Sequence, residues 1–242
     1  MAAEHTVKAY DEELDRMNNA ILEMGGIVEQ QLAASIASLV RRDDDLASRV
    51  ITEDRRVDAL EAEIDQLAVR ILALRQPVAV DLRVITASLK VSSDLERMGD
   101  YAANVAKRSI AIQEIDPIRL THAISRMAGI AQGMIKDVLD SFRDRDVERA
   151  MAVWRRDEDV DESYNSLFRE LLTYMMEDPR RITPCAHLLF IAKNIERIGD
   201  HATNIAETVN YVVTGTPVEE ERPKGDITSF HQAGDESEAT AP

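Results

Sequence analysis

Between Tyr10 and Leu39 the apolar residues Tyr10, Leu14, Met17, Ile21, Met24, Val28, Leu32, Ile36 and Leu39 recur at intervals of three or four. That spacing puts their side chains on one face of a helix and predicts a single long one. The polar run RRDDD at 41–45 interrupts it. A second stripe, Val57, Leu60, Ile64, Leu67, Ile71 and Leu74, alternates three and four like a coiled-coil seam. It stops before Pro77, which disfavours helical backbone in the residue ahead of it. The third stripe runs from near Asp81 toward Ile112 through Ile85, Leu89, Leu95, Met98, Ala102 and Val105. At the tetrapeptide EIDP the pattern ends, with Asp116 suited to cap a new helix and Pro117 to its first position.

From Pro117 to about Phe142, from Asp146 to about Glu177 and from Thr183 to about Val213 the same three-helix arrangement returns. The expectation is an all-α fold of two pseudo-symmetric antiparallel three-helix bundles made by internal duplication. Residues 1–115 form the first, 116–214 the second, and 215–242 an acidic tail, rich in Gly, Pro, Glu and small polar residues, which has little to bury and is expected to be disordered.

Composition narrows the function. Aromatic residues are only 4% of the chain, which favours Leu-, Ile-, Val-, Ala- and Met-packed helices over a sheet. The formal charge of −16 argues against nucleic acid as a partner, since phosphate binding needs cationic side chains that displace counterions. Cys185 is the single cysteine, so no internal disulfide is possible, as expected for a reducing cytoplasm. No signal-peptide pattern opens the chain, and no purely apolar run, LLFIA at 188–192 included, exceeds five residues, far too short to span a bilayer.

The motif that carries chemistry is written twice. DLERMGDYAANVAK from Asp94 and NIERIGDHATNIAE from Asn194 keep Glu96, Arg97, Gly99, Asp100 and Asn104 in register with Glu196, Arg197, Gly199, Asp200 and Asn204. On a helix Glu96 and Asp100 stack on one flank, with Asn104 a turn further on. The preceding helix has its own acidic line, Asp54, Asp58, Glu61 and Asp65, displaced from its apolar face in the same rotational sense. Antiparallel neighbours turn equal senses into opposite ones, so the two lines meet across one groove. Heights agree: Asp54 with Asp100, and Asp58 with Glu96, are centred on Pro77 in the turn. In the second half Asp157 with Asp200, and Asp161 with Glu196, are centred between Asp178 and Pro179.

Carboxylates brought level repel unless they are protonated or neutralised. A divalent cation removes the repulsion, and all-oxygen ligation suits Mg²⁺, Mn²⁺, Ca²⁺ or iron better than Zn²⁺. A single Glu-x-x-x-Asp flank is ordinarily a solvated face; duplication and the height match set these apart. Arg97 and Arg197 point elsewhere and support the acids from the flank at most. Asn104 and Asn204 are surface amides or outer ligands, and Gly99 and Gly199 imply close helix contact.

These features, the paired RxGDxxxN motifs above all, resemble the PhoU family, over about Thr6 to Val213. The resemblance implies two three-helix bundles that can hold multinuclear iron, zinc, manganese or magnesium sites. It further implies a non-enzymatic negative regulator of phosphate uptake and of the phosphate regulon, linking the phosphate ABC transporter ATPase to a phosphate-sensing histidine kinase. Such a protein often forms a homodimer, and it meets the membrane only peripherally through its partners. Carried over by motif, the metal residues are Asp54, Asp58, Glu96 and Asp100, then Asp157, Asp161, Glu196 and Asp200. Two departures make the second set less acidic: Asn194 stands where the first half has Asp94, and Arg156 where it has Glu53. Two other readings stay open, a structural helical adaptor without metal and a carboxylate-bridged di-metal enzyme. The enzyme would ordinarily use Glu-x-x-His pairs, and the chain has none.

Overall fold

The apolar stripes lie on helices in the computed structural model, which describes residues 2–112, 121–220 and 222, with side chains from residue 9 onward. Helix α1 spans Ala2–Arg41, α2 Asp44–Arg75 and α3 Val80–Ala111. The second half has α4 (Thr121–Asp144), α5 (Val147–Arg155), α6 (Asp157–Glu177) and α7 (Ile182–Thr214), with a 3₁₀ turn at Pro179–Arg181. No strand occurs among the described residues. The proposed boundary at Asp116 and Pro117 and the tail beyond Arg222 lie outside them.

The duplication is visible in the turns. After α1, Arg42 takes a left-handed φ of 56°, Asp43 N–H donates to the Ser38 carbonyl, and the Asp43 carboxylate caps α2 by accepting from Leu46 N–H at 2.8 Å. After α4, Arg145 takes a φ of 54°, Asp146 N–H donates to the Ser141 carbonyl, and the Asp146 carboxylate accepts from Arg149 N–H at 3.0 Å. The same residue types close the same turn twice. A left-handed residue ends the helix and a short acid starts the next.

The hairpin turns follow the centres read from the sequence. Helix α2 ends at a left-handed Gln76 and α3 begins at Val80, so Pro77 sits in the turn. The second turn runs through Asp178 and the 3₁₀ segment, where the Asp178 carboxylate accepts from Arg180 N–H.

The fifth expected helix, Asp146 to Glu177, is two helices in the structure. Backbone tightens to i→i+3 bonds around the break, with Arg156 N–H on Val153 O and Asp159 N–H on Arg156 O. Arg156 leaves the α6 flank for α4, where its Nη1 donates to Asp137 at 2.8 Å. It passes over Gly133, whose missing side chain makes room: a Cβ there would lie 2.8 Å from the Arg156 guanidinium. The acidic first turn of α6, Asp157, Glu158 and Asp159, complements the partial positive charge of a helix start.

One buried apolar cluster runs through both halves, from Met17, Ile64 and Leu95 to Met134, Val160 and Ile198. Helices α3 and α7, which carry the repeated motif, pack against each other along this core. The two acidic hairpins are thereby fixed on one rigid interior. No described helix is long and apolar enough to cross a membrane.

Candidate functional site

In the first half Gly99 brings the α3 backbone against α2. A Cβ on it would come 3.2 Å from Asp54 Oδ1 and 3.3 Å from both Gln31 Oε1 and Val57 Cγ1. The Gln31 amide donates to Asp54 Oδ1 at 3.4 Å, while its own Oε1 is buried with no partner. Burial raises the pKa of Asp54, and the neighbouring charges of Asp100 and Asp58 raise it further. Glu96 is raised by burial, then by Asp100, Glu61 and Asp58. Glu61 is raised by burial and by Asp65 and Asp58. Across this hairpin, acids of α2 and α3 therefore feel one another, Asp54 with Asp100 and Glu96 with Glu61 ahead of Asp58. Arg97 approaches Glu96 at 3.7 Å from an exposed position, a flanking contact worth little in water. Asn104 is half-buried on the next turn.

The second half is deeper. Asp157 is 2% exposed, Asp161 4% and Glu196 5%. Glu196 is pushed up to about 7, chiefly by burial, with Asp200 and Asp161 adding repulsion against the opposing pull of Lys193. Lys193 Nζ donates to Glu196 Oε1 at 2.8 Å, and Oε2 is buried with no hydrogen-bond partner. Asp157 is raised by burial and by Asp200, with Arg222 opposing. Arg222 lies between two of these acids: its Nε donates to Asp157 Oδ2 at 2.9 Å, and its Nη2 stands 2.7 Å from Asp200 Oδ1 as an ion pair without hydrogen-bond alignment.

Neither departure from the duplicated pattern acts as its charge suggests. Asp94 is not on the acidic groove; it faces α7, where its Oδ1 lies 2.7 Å from His201 Nδ1 and accepts from Asn204 Nδ2 at 3.3 Å. Asn194 turns its amide to the Phe190 carbonyl of its own helix. Arg156 faces Asp137. Tyr101 and His201, equivalent positions in the repeat, stack 5.6 Å apart at this α3–α7 seam, and Arg197 covers the Tyr101 ring. Asn204 and Arg197 thus serve the seam. Sequence reasoning left out Gln31, Lys193 and Arg222. Gln31 signals itself only as a polar residue beside an apolar stripe, and nothing in the sequence ties Arg222 to an acid on α6.

Chemically, the arrangement gathers hard oxygen donors with incomplete neutralisation. The acids of each hairpin act on one another electrostatically, and among the described residues no group of three or more His, Cys, Asp or Glu is arranged to hold a metal ion. The all-oxygen donor set and the unpartnered buried oxygens of Gln31 and Glu196 are of the kind that a hard divalent cation takes.

The duplicated body is matched by a known domain, the PhoU domain, at residues 21–109 and again at 124–209. The chain belongs to the PhoU family. A relative named "phosphate-specific transport system accessory protein PhoU homolog" from Caulobacter vibrioides (strain NA1000 / CB15N) is 54% identical over 227 residues, covering 93% of this chain and 99% of its own. The protein of the same name from Rhizobium meliloti (strain 1021) is 50% identical over 230 residues, covering 95% and 97%. Among solved structures, PhoU from Pseudomonas aeruginosa superposes with a TM-score of 0.83 at 41% identity, covering 86% of this chain and all of the other. The phosphate transport system regulatory protein PhoU from Streptococcus pneumoniae superposes with a TM-score of 0.81 at 28% identity, covering 87% of this chain and all of the other. Each PhoU-domain match contains one acidic hairpin, so the pairing just described falls inside both copies of the family's unit.

Proposed function

We propose that this chain is a non-catalytic accessory protein of a phosphate-specific uptake system, and that it restrains uptake and the phosphate regulon from the cytoplasm. The observation that carries this reading is the double PhoU-domain match, with relatives of that name aligned along almost their whole length. In this reading it links the transporter's ATPase to a phosphate-sensing histidine kinase, acts as a homodimer, and touches the membrane only through those partners.

Divalent cations on the acidic hairpins belong to the same proposal. Asp54, Asp58, Glu96 and Asp100 would hold one set, and Asp157, Asp161, Glu196 and Asp200 the other. Bound ions would neutralise the buried acids and give each hairpin a fixed, less negative face for a partner. What this chain's own residues do is hold those ions on rigid helices and favour one partner state over another, since a signal requires different affinities for two states. Oxygen donors without His or Cys favour Mg²⁺, Mn²⁺ or iron over zinc.

The test is affinity capture from cells grown in high and in low phosphate, comparing the native chain with Asp100→Ala/Asp200→Ala. The native chain is expected to retain the transporter ATPase and the kinase in a phosphate-dependent ratio, and the variant to lose that dependence. Recovery of neither partner in either medium would reject the regulatory assignment. Steady oxygen consumption by iron-loaded protein would replace it with the enzyme.

A further inference from the structure

The two acidic hairpins are neutralised differently. Beside Asp54, α1 places the Gln31 amide. Counting back from the equivalent turns at Arg42 and Arg145, the residue matching Gln31 in α4 is Met134, which is fully buried and donates nothing. The second hairpin instead receives a guanidinium from the chain's own C-terminal segment.

That segment is held at several of its described residues. Gly215 ends α7 in the left-handed region at φ 78°, packed so closely on α3 that a Cβ would lie 3.2 Å from the Arg83 guanidinium. Asn210 Nδ2 and the Thr214 hydroxyl both donate to the Thr216 carbonyl at 3.1 Å. Val218 packs on the main core. Arg222 then reaches Asp157 at 2.9 Å and Asp200 at 2.7 Å, with its side chain only 18% exposed. Those are the acids that the level pairing assigns to one cation. Glu196, 5% exposed, leaves Oε2 without a partner in the same cluster.

We propose that Arg222 is a tethered cation that occupies the second acidic pair in place of a divalent ion, so that ion binding there requires the arm to leave. This rests on the divalent-ion reading above. A single charge on an arm spans Asp157 and Asp200 but leaves the Glu196 oxygen unmatched, whereas a divalent ion supplies two charges and further coordination. The arm therefore sets a threshold: the hairpin's apparent affinity falls by the fraction of time that Arg222 is seated. The first hairpin, with a neutral amide and no guanidinium on Asp54 or Asp100 among the described residues, carries no such threshold.

Calorimetric titration with Mn²⁺ of the full-length, chelator-treated chain tests this. Arg222→Gln is expected to tighten one of the two ion-binding events about tenfold or more, and Arg222→Lys, which keeps the charge, to stay closer to native. Adding Asp157→Asn/Asp200→Asn to Arg222→Gln is expected to abolish the tightened event and leave the other. If Arg222→Gln titrates like the native chain while Asp54→Asn/Asp100→Asn still loses an event, the threshold is rejected and the divalent-ion reading survives. Absence of heat from every variant rejects both. Far-UV circular dichroism confirms that each variant is folded.

Discussion

At the scale of single residues, the acids decide how the molecule responds to pH. Glu196 is held up to about 7 from an ordinary value of 4.5, and burial is the main cause. Between those pH values the folded chain holds a proton that the unfolded chain releases, so stability falls as pH rises through the window. Asp54, Glu61, Glu96 and Asp157 are shifted in the same direction. Metal-free protein is therefore expected to have a lower urea midpoint at pH 8 than at pH 5.5. Glu196→Gln, which can still accept from Lys193, should shrink that difference, and an unchanged difference would show that Glu196 is not its source. The identity of these acids was legible in the sequence because spacing and height depend only on helix geometry. Of their neutralisers, Lys193 sits three residues before Glu196 on α7, a spacing that helix geometry does encode, whereas Arg222 reaches its acids from a distant segment, which periodicity does not encode.

At the scale of elements, the repeated turn explains why the chain folds as two copies of one plan. Asp43 and Asp146 each satisfy a free N–H at the start of the following helix. Replacing either by Ala should cost about 1 kcal/mol, within the usual range for caps. Equilibrium denaturation of the two variants checks this, and Asp146, the more exposed, is expected at the low end. The broken fifth helix shows where pattern reading stops. Apolar spacing continues across Arg156 because both α5 and α6 face the same core, yet the backbone tightens there while Arg156 leaves for Asp137 on α4. Nothing in the stripe itself distinguishes a continuous helix from two consecutive ones packed on the same core. The left-handed turns at Arg42 and Arg145 were hidden for a similar reason, as Arg is not a residue that advertises positive φ.

At the scale of the whole molecule, a formal charge of −16 is carried on a 242-residue chain whose acids are partly concentrated on two hairpins. Self-repulsion destabilises such a body, and counterions relieve it. Millimolar Mn²⁺ or Mg²⁺ should raise the thermal midpoint beyond what NaCl of equal ionic strength achieves, because site binding to the folded state adds to screening. Differential scanning fluorimetry distinguishes the two, and equal shifts would reduce the acids to ordinary surface charge. The seam between α3 and α7 has a further meaning. Tyr101 meets His201, its counterpart in the other copy, so the two halves face each other much as identical subunits would about a twofold axis. Two separate copies would be bound to present matching faces. A single covalent chain is released from that symmetry, and Asp94 gripping His201 and Asn204 while Asn194 turns to its own backbone is the lopsided lock that fusion permits.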